Sequence, residues 1–426
     1  MNFLINRLRG DKVIWAIVVL LALISFLPVY SASTNLVYVI GKGSTIGYLL
    51  KHLVHLFIGF VIVFWVHKVP YHIFRALSII GIPVVILLLI YTLFQGTTIG
   101  GANASRWIQI PFVGIGFQTS TLAFTVLMVY VARYLAKVSD KEYSFKDSLL
   151  ELWLPVFGVL ALVLPANFST TALIFSMVCM LVYVGQYPLK YLGIIIGAGI
   201  IALTFFILVA KAFPNAMPNR VDTWISRVDS FLDGKNDVRD DDYQITQAKV
   251  AIATGKIHGL GPGKSVQKNF LPQSSSDFIF AIIVEEYGLI GAVTILFFYL
   301  LLFVRFIINA QKASTLFGKL LIIGLGFPII FQALINMAVA VELLPVTGQT
   351  LPLISAGGTS IWMTCISIGI ILSVTKKDEE VALDEQESKK REEALQRMIN
   401  KELEVSENET DEDKEDLNPL EPILNQ

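Results

Sequence analysis

Ten apolar runs, each close to the length of a membrane-crossing helix, recur along this chain and constrain its fold more than any other feature. A helix needs about 20 apolar residues to cross the hydrocarbon core of a bilayer. Such runs fall at residues 13–30, 49–66, 73–94, 116–135, 152–166, 170–187, 190–211, 289–308, 319–342 and 358–375. In lipid, backbone N–H and C=O groups must be satisfied inside the spanning element itself. The expected fold is therefore an all-α polytopic membrane protein of about ten transmembrane helices. Composition agrees, because 54% of the 426 residues are hydrophobic and only 16% are charged, against roughly a quarter charged in soluble proteins.

Charge sets the orientation. The loops after spans two, four, six, eight and ten carry Lys68, Arg75, Lys137, Lys141, Lys146, Lys190, Lys312, Lys319, Lys376 and Lys377, and the positive-inside rule assigns them to the cytoplasm. Arg7, Arg9 and Lys12 place residues 1–12 on the same side, so both termini are expected there. Ser31-Ala32-Ser33 resembles a signal-cleavage site, yet the many spans that follow favour an uncleaved first helix. The ten spans make one domain, residues 13–375, followed by a charged tail at 376–426. That tail holds 18 of the 34 acidic side chains but only 8 of the 33 basic ones, and is expected to be solvated and disordered. Cys179 and Cys365 lie within apolar runs, where a thiol behaves as a small hydrophobe. No nucleic-acid partner is expected.

This topology puts residues 212–288 outside, as a large loop between spans seven and eight, and the chemistry is sought there. The loop holds Asp237, Asp240, Asp241 and Asp242, then GLGPGKS at 259–265, then LPQSSSDFIF ending in an apolar run. GLGPGKS is too short between its first Gly and its GK pair for a nucleotide-binding loop. It reads as a tight turn, with Lys264 and Lys268 near anionic headgroups. Asp277 is a carboxylate entering an apolar segment at membrane depth, which is costly and marks a functional candidate. Residues 277–286 are expected to form a short helix at the outer surface, capped by Ser274, Ser275 or Ser276. Glu285 and Glu286 read as a structural pair with a nearby base.

Two cations stand on the same side. Lys51, with His52 and His55, opens span two, and Arg106 precedes Trp107, an interfacial anchor, in GGANASRWIQI. A site holding a diphosphate would use such cations. The connection NMAVAVELLPVTGQTLPLISAGGTS at 336–360 gathers Pro345, Gly348, Pro352, Gly357 and Gly358. Non-helical backbone at membrane depth is tolerated where it lines a cavity, so this segment is expected to wall a polar pocket facing Asp277. No cluster has metal-ligand spacing.

Four segments now carry a resemblance. They are ASRWIQIPFVGIGFQTSTLA at 104–123, PANFSTTALI at 165–174, GLGPGKSVQKNFLPQSSSDFIFAIIVEEYGLIGA at 259–292, and residues 336–360. Together they resemble the SEDS family of bacterial cell-wall polymerases (FtsW, RodA and SpoVE) over residues 10 to 375, and the charged tail leans toward the division member. The resemblance implies a peptidoglycan glycosyltransferase of the cytoplasmic membrane. It would join lipid II units at the outer face, releasing undecaprenyl pyrophosphate, with Asp277 as the essential aspartate. It implies candidate substrate-binding residues Lys51, Arg106, Lys264, Lys268, Ser276, Asn336, Thr347, Ser355, Gly357 and Gly358. A divalent cation, Mg or Mn, would assist, with Asp277 as its candidate ligand. Implied partners are a class B penicillin-binding protein transpeptidase, other division or elongation proteins, and the phospholipid membrane.

The chain departs from the family pattern in three places. The usual Pro-Glu-x-His-Thr-Asp reads Pro272-Gln273-Ser274-Ser275-Ser276-Asp277. Gln-Pro-Ser-Glu-Leu-Ala-Lys reads Gln118-Thr119-Ser120-Thr121-Leu122-Ala123-Phe124, losing an acid and a base together. Pro-Asp-Phe-Gly-Thr reads Ala166-Asn167-Phe168-Ser169-Thr170. Asp277 survives as the acid of these signatures. A lipid II flippase or other transporter, or a non-catalytic division scaffold, are the alternative readings. The first would show paired repeats with broken helices at the midplane, whereas the polar residues here crowd toward one face.

Overall fold

A computed structural model describes residues 8–38, 44–95, 107–109, 116–139, 144–212, 240–271 and 273–376, with scattered tail residues between 386 and 400. Eleven helices are described before the tail. They are α1 (Lys12–Tyr38), α2 (Thr45–Val66), α3 (Tyr71–Gln95), α4 (Thr119–Val138), α5 (145–163), α6 (Phe168–Val184), α7 (Leu189–Ala212), α8 (Asp240–Gly255), α9 (Ile279–Lys312), α10 (Leu316–Ala340) and α11 (Thr359–Val374). Seven are long and apolar enough to cross a membrane: α1 to α4, α7, α9 and α10. Helices α6 and α11 are apolar but shorter. Helix α5 runs through a π-helical turn at Leu149–Trp153.

The chain divides after Thr375 into two units. In the second, residues 396–400 are helical and exposed; most of the tail lies outside the described residues, as do Arg106 and Asp237. One expected boundary needs correction. Span four begins at Thr119 rather than at 116, because Gly116–Gln118 is a strand (β2) pairing antiparallel with Trp107–Gln109 (β1). The architecture is all-α as expected, with one small ribbon of three residues per strand beside the start of that span.

Packing follows the apolar pattern. On α9 the buried residues Ile295, Tyr299, Leu302, Phe306 and Ala310 recur every three or four positions, making one inward stripe, while Val293, Phe297, Leu300 and Val304 are exposed on another face. Exposed apolar side chains of this kind fit a lipid environment.

The break in α9 has an identifiable cause. Gly288 has φ +66° and ψ −163°, outside the helical region. Regular helix would send the N–H of Leu289 and Ile290 to the carbonyls of Glu285 and Glu286. Instead, Leu289 donates to Lys256 O (2.9 Å) and Ile290 to Ile257 O (3.3 Å). The freed carbonyls accept from Leu260 and Gly261, both at 2.9 Å. Four hydrogen bonds are thereby exchanged between the helix and the segment after α8 without orphaning a buried group. The approach is so close that a Cβ on Gly255 would lie 2.0 Å from Val284 O, and one on Gly259 2.2 Å from Glu286 O. This places the kink immediately before the span expected at 289–308.

At the opposite pole Asp11 ties three helices. Its carboxylate accepts from Arg305 Nη2 (2.6 Å), Asn309 Nδ2 (2.7 Å) and the Val13 and Ile14 amides, capping α1, while its own N–H donates to Thr375 Oγ1 (3.0 Å). Burial alone raises the Asp11 pKa, but these hydrogen bonds and the Arg305 charge outweigh it and hold the carboxyl below its ordinary value. The stabilisation is complete above the unfolded value of about 3.9 and is lost only as pH falls through the depressed native one. Asp11→Asn is expected to lower stability at pH 7 by about 1.5–3 kcal/mol, the worth of a hydrogen bond to a charged group. The deficit should persist from pH 8 to 5 in detergent melting curves and shrink only in stronger acid.

Candidate active site

Asp277 sits in a turn just before α9, and the serines expected to cap that helix do other work. Phe278 occupies the N-cap position with no side-chain cap bond. Ser276 Oγ donates to Gln273 Oε1 (2.6 Å), and Ser274 Oγ to Ala32 O (3.5 Å). The first part of α9 is packed inside the protein, since residues 278–286 are all buried. Phe278, Ala281 and Ile282 join Ala248 and Ala251 of α8, Leu271, Val339 and Val346 in a small core of their own. That core is the floor beneath Asp277.

The wall comes from residues 336–358. Asn336, near the end of α10 and 1% exposed, donates through Nδ2 to Asp277 O (2.7 Å) and to Gln349 O (2.8 Å). One amide therefore staples the Asp277 turn to the wall. Ser355 Oγ donates to Ser276 O (2.6 Å) and accepts from Leu351 N (2.7 Å), and Ala356 N donates to Ser275 O (2.9 Å). Three consecutive carbonyls, of Ser275, Ser276 and Asp277, are thus held from the wall side. The Asp277 carboxylate lies beside Gly348: a Cβ there would be 3.6 Å from Oδ2. Gly348 has φ +64°, a left-handed conformation that suits glycine. Two prolines and this glycine keep the wall from continuing α10.

Beside the wall a groove of about 440 Å³ runs between α6 and α10. Phe168, Leu173 and Met177 line one side, Phe331 and Ile335 the other, and Leu344 to Thr347 close the end next to Gly348. The lining is mostly apolar, as in sites that hold greasy ligands.

The loop from 255 to 268 is locked from below by two buried carboxylates. Glu285 accepts from Ser265 Oγ, Val266 N (3.0 Å) and Gln267 N (3.3 Å). Glu286 accepts from Ser31 Oγ and Ser265 N (3.3 Å). Lys268 Nζ donates to Ser31 Oγ (3.1 Å) and Gly263 O (2.8 Å), with its charge close to Glu286. The two glutamates fasten the loop, and the Lys268 charge acts on Glu286 alone of the pair.

The candidate residues therefore fall into groups. Ser276, Asp277, Asn336 and Ser355 come together, and Thr347 lines the adjoining groove. Gly358 opens α11 with φ +55°, and a Cβ there would be 3.8 Å from His55 Nε2; Gly357 precedes it. Lys264 is exposed in its turn, and Lys51 faces outward from α2 while His52 and His55 are buried. Arg106 lies outside the described residues. Sequence reasoning missed Gln349, whose Nε2 donates to Thr170 Oγ1 of α6 (2.9 Å). A lone amide between Pro345 and Pro352 was the available signal. Among the described residues no three His, Cys, Asp or Glu gather as a metal cage. A hard divalent cation such as Mg commonly takes only one or two carboxylates plus substrate phosphates, and the single carboxylate of Asp277 fits that mode.

Fold and site together define a polytopic membrane protein with one acidic polar site at the rim of an apolar bundle. The FtsW/RodA/SpoVE family model, described as cell cycle protein, matches residues 11–380. The chain belongs to that family. It is 30% identical over 374 residues to a probable peptidoglycan glycosyltransferase FtsW of Nitrosomonas europaea, covering 85% of this chain and 92% of that one. It is 31% identical over 383 residues to the protein of the same name in Geobacter sp. (strain M18), covering 87% and 98%. Among solved structures, a chain of a peptidoglycan synthase complex that coordinates polymerization and crosslinking superposes with TM-score 0.65 at 24% identity, covering 86% of this chain and 97% of the other. Thermus thermophilus RodA superposes with TM-score 0.61 at 22% identity, covering 86% and 96%. These two share the fold.

Proposed function

We propose that this chain is an inverting glycosyltransferase that polymerises lipid II into glycan strands at the outer face of the bacterial cytoplasmic membrane. Its role is in cell division, and it crosses the membrane ten times with both termini in the cytoplasm. The observation that carries the reading is the junction of Asp277 with an apolar groove: the carboxylate stands beside Gly348, and the groove ends at Thr347. A substrate with a sugar head and a polyprenyl tail needs both at once. The tail lies between α6 and α10, and the sugar reaches the rim.

Asp277 accepts the proton of the acceptor sugar's hydroxyl as that oxygen attacks the anomeric carbon of the donor. Asn336, Ser355 and Ala356 supply orientation by holding the turn main chain, so the carboxylate needs no rearrangement at the moment of reaction. The departing diphosphate leaves as an anion and requires no general acid. Lys51, Lys264 and Arg106 are the cations assigned to its developing charge. A divalent cation, held by the diphosphate and by Asp277 in place of its role as base, would supply Lewis-acid stabilisation. A class B penicillin-binding protein is the partner that would cross-link the strands. The naming of curated relatives as glycosyltransferases supports this assignment.

Filling the groove tests the reading. Ile335→Trp is expected to raise KM for lipid II by about tenfold, since it occupies the space in which the tail binds. An unchanged KM, in protein with unchanged melting temperature, would take the tail out of the groove.

A further inference from the structure

Gln349 touches both sides of the groove and the Asp277 staple at once. Its side-chain amide donates to Thr170 Oγ1 on α6 (2.9 Å), and its main-chain carbonyl accepts from Asn336 Nδ2, which also holds Asp277 O. Thr170 lies in the first turn of α6, where its N–H is capped by Asn167 Oδ1 (3.3 Å). Asn167, Phe168, Leu173 and Met177 of that same stretch line the groove. On the opposite side, Ile335 is the neighbour of Asn336 in sequence and lines the groove as well. The separation of the two groove walls is thus tied, through two side-chain amides, to the position of the Asp277 turn.

We propose that Gln349 is a positioning residue that makes the placement of Asp277 depend on a polyprenyl tail filling the groove. The inference rests on the function proposed above and adds to it a coupling between tail and carboxylate. An apolar chain between α6 and α10 holds the walls at the spacing seen here, at which Gln349 makes both bonds. The Asn336 staple then holds Asp277 at its working position. A donor too short to fill the groove leaves the walls unset and reacts more slowly. The arrangement makes chain length a determinant of rate as well as of affinity. Coupling of this kind needs a physically continuous set of contacts, and Thr170–Gln349–Asn336–Asp277 is one.

The test is a steady-state comparison of lipid II with an analogue carrying a shortened prenyl chain, using full-length protein of unchanged melting temperature. The readout is the ratio of kcat for the long donor to kcat for the short one. Wild type is expected to give a ratio well above one. Gln349→Leu and Thr170→Val should each reduce kcat for the long donor by about tenfold, as loss of one aligning hydrogen bond does, and collapse the ratio toward one. Thr170→Ser, which keeps the hydroxyl, should restore most of it. The double variant should be no worse than either single one, since both remove the same bond. Additive losses, or equal losses for both donors, would reduce Gln349 to a structural residue and overturn the inference while leaving the proposed function intact. A wild type that makes no strands from either donor would remove the reaction, and the role of Gln349 with it.

Discussion

Asp277→Asn is expected to lower kcat for glycan polymerisation by about 10²- to 10⁴-fold, the contribution of a positioned general base, with little change in stability. The reason for the separation is geometric. The turn is held through its main chain, by Asn336, Ser355 and Ala356, and the substitution leaves that main chain and the side-chain shape intact. What it removes is the ability to accept a proton and carry charge next to Gly348. Titrating divalent cation distinguishes the two roles open to the carboxylate. If Asp277 takes the proton, excess Mg or Mn leaves the variant slow at every concentration. Recovery of the rate at high cation would instead make Asp277 a ligand of the metal.

The second large effect is on folding. Gly288→Ala would set a Cβ 2.2 Å from Ile257 O and 2.5 Å from Gly259 N, at a φ of +66°. Both obstacles are main chain, so no side-chain rotation relieves them. The four exchanged hydrogen bonds around the kink depend on that approach, and losing them orphans the carbonyls of the buried Glu285 and Glu286, at about 1–3 kcal/mol each. The variant is expected to lose more than ~3 kcal/mol, among the larger penalties for a single substitution, seen as a collapsed monodisperse peak and a lowered melting temperature in detergent. Gly158→Ala in α5, where a Cβ would meet nothing within 4 Å, is the control, expected to stay within ~1 kcal/mol of wild type. A Gly288→Ala protein as stable as the control would show that the two main chains are not in contact.

How much of this was legible in the sequence follows from which interactions are local. Spans were readable because lipid fixes both their length and their composition, so α2, α7, α10 and α11 start and end within a few residues of the apolar runs. Asp277 was readable because a carboxylate entering an apolar run is unusual on its own strand of chain. Its neighbours were partly so: Asn336 and Ser355 sit in a segment whose prolines and glycines already announced irregular backbone. The exchange at Gly288 was not readable, because the partners of its hydrogen bonds lie about thirty residues upstream in a different element. The same holds for Lys268, whose charge suggested a headgroup contact but whose ammonium is engaged with Ser31 and Gly263. Gly116–Gln118 was misplaced into span four because three residues of strand carry no period that distinguishes them from the start of an apolar helix. Gln349 was overlooked for a related reason, since its significance is the pair of helices it joins.

The most direct test of the account is whether the purified full-length protein makes glycan strands from lipid II in detergent, with a divalent cation and a class B penicillin-binding protein present, under conditions where a curated relative succeeds. Strands that lengthen with time, accompanied by release of undecaprenyl pyrophosphate and lost in Asp277→Ala, are the predicted result. Absence of strands from the wild type under those conditions would contradict the glycosyltransferase reading and return the groove and its carboxylate to transport of the lipid precursor.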